Sequence, residues 1–299
     1  MFSLSNEVTM TQLPESELAA VKQQILAFFC NHLVSFCGSY VALDANGREI
    51  GEHKPFTFSG FVMAVRGVWC LVTAGHCIEN LEKPLRAKKI RITGSYLADY
   101  FGSAPKVEEP MPFDYDGAHA FGVNDDSAGL DFALIPLREF YKMSLQANGI
   151  RAISEENWVS QDPSACDFFA LAGLPDCLVQ NPDKFVPHGD RMAVAVSPAM
   201  AWVNPVSLPP ADMPTATFPW FIGKVGSAAD LPSIVGMSGG PIFGFKKGEG
   251  GQLQYWVVAV QSWWRPATRI IFGYPVRTFA AIVEQALREY DVAEKTNCP

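Results

Sequence analysis

The sequence predicts an all-β protein with a helix at each end. Three observations carry that expectation. Short apolar runs of strand length recur along the chain between clusters of turn residues, and helical periodicity is confined to the two ends. The 299 residues are 48% hydrophobic and only 18% charged. That is enough apolar material to bury a large core and too little charge for extensive disorder.

Taken in order, Pro14 stands at a helix start, and Leu18, Val21, Ile25, Leu26 and Phe29 recur at helical spacing between Glu15 and about Leu33. Strand-like runs follow at Val34–Leu43, Phe56–Val65, Val68–Thr73, Lys89–Thr93 and Phe132–Leu137. Asp44-Ala45-Asn46-Gly47 reads as a hairpin turn. A long connection between Ser95 and Gly129 reads equally well as the border of a substrate cleft and as a solvated insertion. Met143–Pro163 reads as the linker between halves. In the second half, strands are expected at Phe168–Ala172, Met192–Val196, Thr217–Val225, Pro241–Phe245, Trp256–Trp264 and Arg269–Val276. A closing helix then places Val276, Phe279, Ile282, Val283, Ala286 and Leu287 on one face.

Three short strings bear chemistry. Thr73-Ala74-Gly75-His76-Cys77 follows the apolar run Trp69–Val72, Asp131 enters the apolar strand Phe132–Leu137, and Ser238 lies between glycines in Gly236-Met237-Ser238-Gly239-Gly240-Pro241. A serine hydroxyl is a weak nucleophile and needs a neutral imidazole to take its proton; His76 is the candidate base. That imidazole needs a buried carboxylate on its other nitrogen to fix its tautomer and stabilise the imidazolium, a role that suits Asp131 better than its neighbours Asp125 and Asp126. A tetrahedral intermediate needs backbone N–H donors, which Gly236 and Ser238 can supply from a tight glycine turn. The Gly-x-Ser-x-Gly spacing also fits an α/β-hydrolase elbow, but that fold places its histidine after the serine, and all five histidines here (His32, His53, His76, His119 and His188) precede Ser238.

With histidine, aspartate and serine in that order, the chain resembles the trypsin/chymotrypsin-like serine peptidases of the PA clan over most of its length, closest in style to bacterial or cytosolic trypsin-like domains. Ala172-Gly173-Leu174-Pro175 is similar to the glycine-proline turn of such relatives. The resemblance implies an all-β fold of two six-stranded antiparallel barrels. Residues 1–33 would be an N-terminal extension, 34–150 a barrel carrying His76 and Asp131, and 151–299 a barrel carrying Ser238 plus the closing helix. It implies a serine endopeptidase working through His76, Asp131 and Ser238 and an acyl-enzyme, with Gly236 and Ser238 as the oxyanion hole. Pro232, Ser233 and Ile234 would form the base of the primary pocket, with Ser262, Trp263 and Gly273 in its walls. None of these is charged, so a neutral, mainly apolar preference is expected.

Two departures from the family pattern alter expectations. Digestive relatives carry an aspartate before the serine, which pairs with a newly cleaved N-terminus; here Met237 stands there, so activation by N-terminal processing is not expected, leaving room for a regulatory protein partner. In secreted relatives the cysteine after the histidine is bridged to an earlier strand, but the matching region is Thr57-Phe58-Ser59-Gly60-Phe61, so Cys77 is expected to be unpaired. The alternative reading is a catalytically silent fold that binds peptides.

A net charge of −8 and a pI near 5.2 argue against a nucleic-acid surface. Met1–Met10 lacks lysine, arginine and a sustained apolar stretch, and no window of about 20 apolar residues occurs, so no secretory signal, no membrane span and a cytoplasmic location are expected. The seven cysteines fit reduced thiols. No Cys-x-x-Cys or His-Glu-x-x-His spacing occurs, so neither metal nor cofactor is expected. The expected partner is a protein or peptide substrate.

Overall fold

The computed structural model describes residues 23–99, 101, 110–159, 162–178, 186–188, 191–193, 197–207, 213, 216–226, 231–248, 252–276, 278 and 282–283. The start of the expected N-terminal helix and residues 284–299 lie outside them. Residues 23–29 are helical and run into a 3-10 turn at Cys30–His32.

The second half is a closed antiparallel barrel. Its strands are β9 (Phe168–Gly173), β12 (Ala199–Pro205), β13 (Phe221–Val225), β14 (Pro241–Lys247), β15 (Leu253–Arg265) and β16 (Ile270–Pro275), hydrogen-bonded in the order β12-β13-β16-β15-β14-β9. Leu171, Val203, Ile242, Ala259 and Ile271 fill its interior. A ribbon of β10 (Val186–His188) and β11 (Arg191–Ala193) lies outside the barrel.

The first half, expected as a second cylinder, is built among the described residues from two four-stranded sheets. One has the order β2-β1-β5-β6, from β1 (Ser35–Leu43), β2 (Glu49–Phe58), β5 (Ile90–Ala98) and β6 (Met111–Pro112). The other has the order β3-β4-β8-β7, from β3 (Phe61–Val65), β4 (Val68–Thr73), β7 (Phe121–Asp125) and β8 (Leu130–Pro136). The expected run Phe56–Val65 divides at Ser59-Gly60, where the chain passes from one sheet to the other. A Cβ on Gly60 would lie 2.8 Å from the Val72 carbonyl oxygen, so the crossing needs glycine. β6 and β7 lie in the long connection, and residues 102–109 are outside the described set.

Two helices were not anticipated. α1 (Gly75–Arg86) carries Pro84 in its last turn and buries Cys77, Ile78 and Leu81, while Glu79–Lys83 and Glu82–Arg86 pair one turn apart at 2.8 and 2.5 Å. α2 (Glu139–Ala147) occupies the start of the expected linker. At the chain's end, Val276, Thr278, Ile282 and Val283 are helical, in keeping with the closing helix. Among the described residues no helix is long and apolar enough to cross a membrane.

The two halves share one core. Phe61, Met63 and Phe132 pack with Ala170, Phe243, Phe245 and Tyr274, and the rings of Phe132 and Tyr274 stack with centroids 5.2 Å apart. Phe132 directly follows Asp131, so this packing fixes the strand that carries the carboxylate against the second half.

Candidate active site

β4 ends at Thr73, Ala74 is extended at the helix cap, and His76 falls in the first turn of α1. The helix can start there because Gly75 has no side chain: a Cβ would stand 2.0 Å from the Val123 carbonyl oxygen and 2.9 Å from the Phe132 nitrogen. This close approach to β7 and β8 sets His76 over Asp131, the second residue of β8, whose side chain is fully buried.

Asp131 accepts three hydrogen bonds. The His76 backbone N–H donates to Oδ1 at 2.7 Å, His76 Nδ1 lies 2.7 Å from Oδ2, and the Ser262 hydroxyl donates to the same Oδ2. A carboxylate only accepts, so Nδ1 carries the proton and Nε2 is the basic nitrogen of the neutral ring. Burial lowers the His76 pKa, but the hydrogen bond to Asp131 and the neighbouring Cys77 thiol outweigh it and raise the value above the ordinary histidine range. His76 Nε2 lies 3.5 Å from Cys77 Sγ. Asp125 does something else: its Oδ1 caps a turn, accepting from Ser127 N, Ser127 Oγ and Ala128 N.

The serine-bearing loop is anchored through consecutive peptide groups. The Val235 carbonyl accepts from the Asp176 N–H at 2.7 Å, the Gly236 carbonyl from the Ser59 hydroxyl at 2.7 Å, and the Met237 carbonyl from the Gly240 N–H at 2.9 Å. The peptides of this loop are trans, so each N–H points away from the carbonyl of its own plane. Anchoring the Val235 and Met237 carbonyls therefore turns the N–H groups of Gly236 and Ser238 to the opposite side. Met237 N–H and Gly239 N–H are used internally, by Ile234 O at 3.0 Å and Gln261 O at 2.8 Å. Among the described residues, those of Gly236 and Ser238 have no acceptor, and neither does the Ser238 hydroxyl. Two unspent amides flanking a half-buried serine hydroxyl are an arrangement that can bind an oxyanion.

The residues expected to line a substrate pocket are spread over two environments. Pro232 is exposed, Ser233 half-buried, and Trp263 is 36% exposed beside Trp220, with ring centroids 6.2 Å apart. Ile234 belongs to the barrel core, and a Cβ on Gly273 would meet Ile242 Cδ1 at 2.6 Å. Ser262 is turned onto Asp131, a contact the local sequence did not signal. Arg269 was also missed: its guanidinium donates to the carbonyls of Gly226, Leu231 and Pro232 at 2.8, 2.9 and 3.3 Å, tying down the segment ahead of Ser238. Among the described residues no group of three His, Cys, Asp or Glu could hold a metal, and Cys77 forms no disulfide.

No protein-family model matches the chain, and no curated protein does. Among solved structures it is similar to the thermostable serine protease AL20 from an extremophilic microorganism, at 15% identity and a TM-score of 0.44 over 90% of this chain and 99% of that one. It is also similar to the active form of the Rv3671c protease from M. tuberculosis, at 13% identity and 0.41 over 88% and 84%. A chain from work on the Sesbania mosaic virus VPg protein matches at 15% and 0.40 over 84% and 88%.

Proposed function

We propose that the protein is a serine endopeptidase of chymotrypsin-like architecture, in which His76, Asp131 and Ser238 cleave peptide bonds through an acyl-enzyme. The observation that supports this best is the joining of two independent features: an imidazole held by a buried carboxylate, and a serine loop whose two unspent amides flank the hydroxyl. His76 Nε2 takes the Ser238 proton as Oγ attacks the scissile carbonyl, and the amides of Gly236 and Ser238 receive the oxyanion. The tetrahedral intermediate collapses as His76 returns the proton to the leaving amine. Water, deprotonated by the same nitrogen, then releases the acyl group.

In this reading 34–150 and 151–299 are the two catalytic halves, and Ser262 holds Asp131 across them. Met237, fully buried, holds the loop by packing, in place of an ion pair with a cleaved N-terminus. A regulatory partner and a cytoplasmic setting remain part of the proposal. Digestion of a denatured proteome-derived peptide library tests the substrate side. Cleavage after neutral, mainly apolar residues, absent in Ser238→Ala, is expected; cleavage strictly after arginine would contradict the neutral pocket.

A further inference from the structure

Ser59 occupies a position that neither its sequence neighbourhood nor the proposed mechanism accounts for. It lies where the chain crosses between the two sheets of the first half and is 1% exposed. Its hydroxyl donates to the Gly236 carbonyl at 2.7 Å and accepts from the Leu174 N–H at 2.9 Å. Its own carbonyl accepts from the Thr73 hydroxyl at 2.7 Å, three residues before His76. One buried serine therefore touches the strand leading to the base, the end of β9, and the loop carrying the nucleophile.

The Gly236 carbonyl matters because its peptide plane lies between the two amides that face the site. Of the three carbonyl anchors of this loop, two are backbone N–H groups, from Asp176 and Gly240; the third, on the middle peptide, is the Ser59 side chain, acting beside the Met237 N–H bond to Ile234 O at 3.0 Å on the same peptide. Gly236 sits at φ +90°, where glycine permits the peptide to turn either way at little cost. A Cβ there would meet Asp176 Oδ1 at 2.1 Å and the Leu174 oxygen at 2.8 Å, so no bulkier residue could stiffen the turn. Ser59 adds a side-chain restraint to the Met237–Ile234 backbone bond on that peptide.

We infer that Ser59 is a positioning residue that keeps the Gly236 and Ser238 amides aimed at the oxyanion, coupling this loop to the strand that carries His76. The inference rests on the proposed peptidase reading of the loop. Removing the hydroxyl leaves the half-buried Gly236 carbonyl and the buried Leu174 N–H without partners and the middle peptide held only through its Met237 N–H, so that it can tilt to find another partner. Transition-state stabilisation then falls while the triad stays in place.

The test measures phosphonylation of full-length protein by a fluorophosphonate, following rate and endpoint separately for wild type, Ser59→Ala, Ser59→Cys and Leu145→Ala, the last a remote core variant in α2. For Ser59→Ala we expect a rate about 10- to 100-fold slower, below the cost of losing an oxyanion donor outright, an unchanged endpoint of one label per chain, and an unchanged pH midpoint. Ser59→Cys, close in size with a weaker hydrogen bond, should fall between and covers the case in which the alanine variant does not fold. Leu145→Ala should melt earlier without slowing the reaction. A wild-type rate in both Ser59 variants, or a reduced endpoint at wild-type rate, would overturn the inference while leaving the peptidase reading intact. No labelling of wild type would overturn both.

Discussion

Gly239 is seated against Thr73: a Cβ added to Gly239 would lie 2.2 Å from Thr73 Oγ1, 2.4 Å from the Ser59 carbonyl oxygen and 2.8 Å from the Ala74 nitrogen. Thr73 and Ala74 lead into His76, and Gly239 follows Ser238. This backbone contact brings the Ser238 loop to the strand end that leads into His76, and it exists only because position 239 has no side chain and adopts φ +90°.

Gly239→Ala is accordingly expected to destabilise the fold by about 2–3 kcal/mol, from left-handed strain and overpacking, and to abolish labelling of Ser238 even in the folded fraction. Thermal melting and probe labelling of the same sample separate the two effects. A variant with wild-type reactivity would show that the loop does not need this contact.

Asp131→Asn should keep the fold and lower turnover by about 10⁴, since an amide can present its N–H to Nδ1 and select the wrong tautomer. Ser262→Ala removes one donor to a carboxylate that retains two, and the expected loss is about tenfold. Steady-state kinetics on one peptide substrate would establish the order; equal losses would mean that Ser262 does more than support Asp131.

Activity and stability should respond to pH in opposite directions. The folded-state pKa of His76 lies above its unfolded value of about 6.5. Its protonated pair with Asp131 therefore stabilises the protein fully below about pH 6.5, and that contribution fades as pH rises through the folded value. Catalysis needs the neutral ring, so the labelling rate should rise over the same interval, with a midpoint above 6.5. Urea midpoints and labelling rates across pH 5–10 test this; a rate midpoint below 6.5 would contradict the account.

Cysteine reactivity should be uneven. Burial pushes the Cys30 and Cys37 thiols up to about 12 and raises that of Cys70, whereas Cys177 is exposed, with its thiol toward the Ser233 carbonyl at 3.3 Å. Brief iodoacetamide treatment of native protein should alkylate Cys177 at least about a hundredfold faster than those three. Peptide mapping showing comparable labelling of Cys70 would contradict the packing described.

The sequence was most legible at the candidate site, where each residue stands in a local pattern. His76, Asp131 and Ser238 each stand in a short string with its own pattern, and the structure brings His76 and Asp131 to 2.7 Å. Ser59, Ser262 and Arg269 were illegible for one reason: their partners are distant in sequence, Gly236 lying 177 residues from Ser59 and Asp131 lying 131 from Ser262. Short apolar runs between turn residues located most strands, but β12 escaped, its run being bracketed by Pro198 and Pro205. α1 escaped because Pro84 lies within it and only three large side chains face the core. The second cylinder was expected from the family resemblance; which edges pair depends on crossings such as Ser59-Gly60, where glycine marks a close approach without naming the partner.

The central claim is that Ser238 is a nucleophile activated by His76. Fluorophosphonate labelling of the full-length protein, with Ser238→Ala and His76→Ala in parallel and the modified peptide located by mass spectrometry, tests it directly. The account predicts one label per chain, on Ser238, lost in both variants. Absence of labelling in correctly folded wild type, or labelling that survives His76→Ala at the wild-type rate, would contradict it.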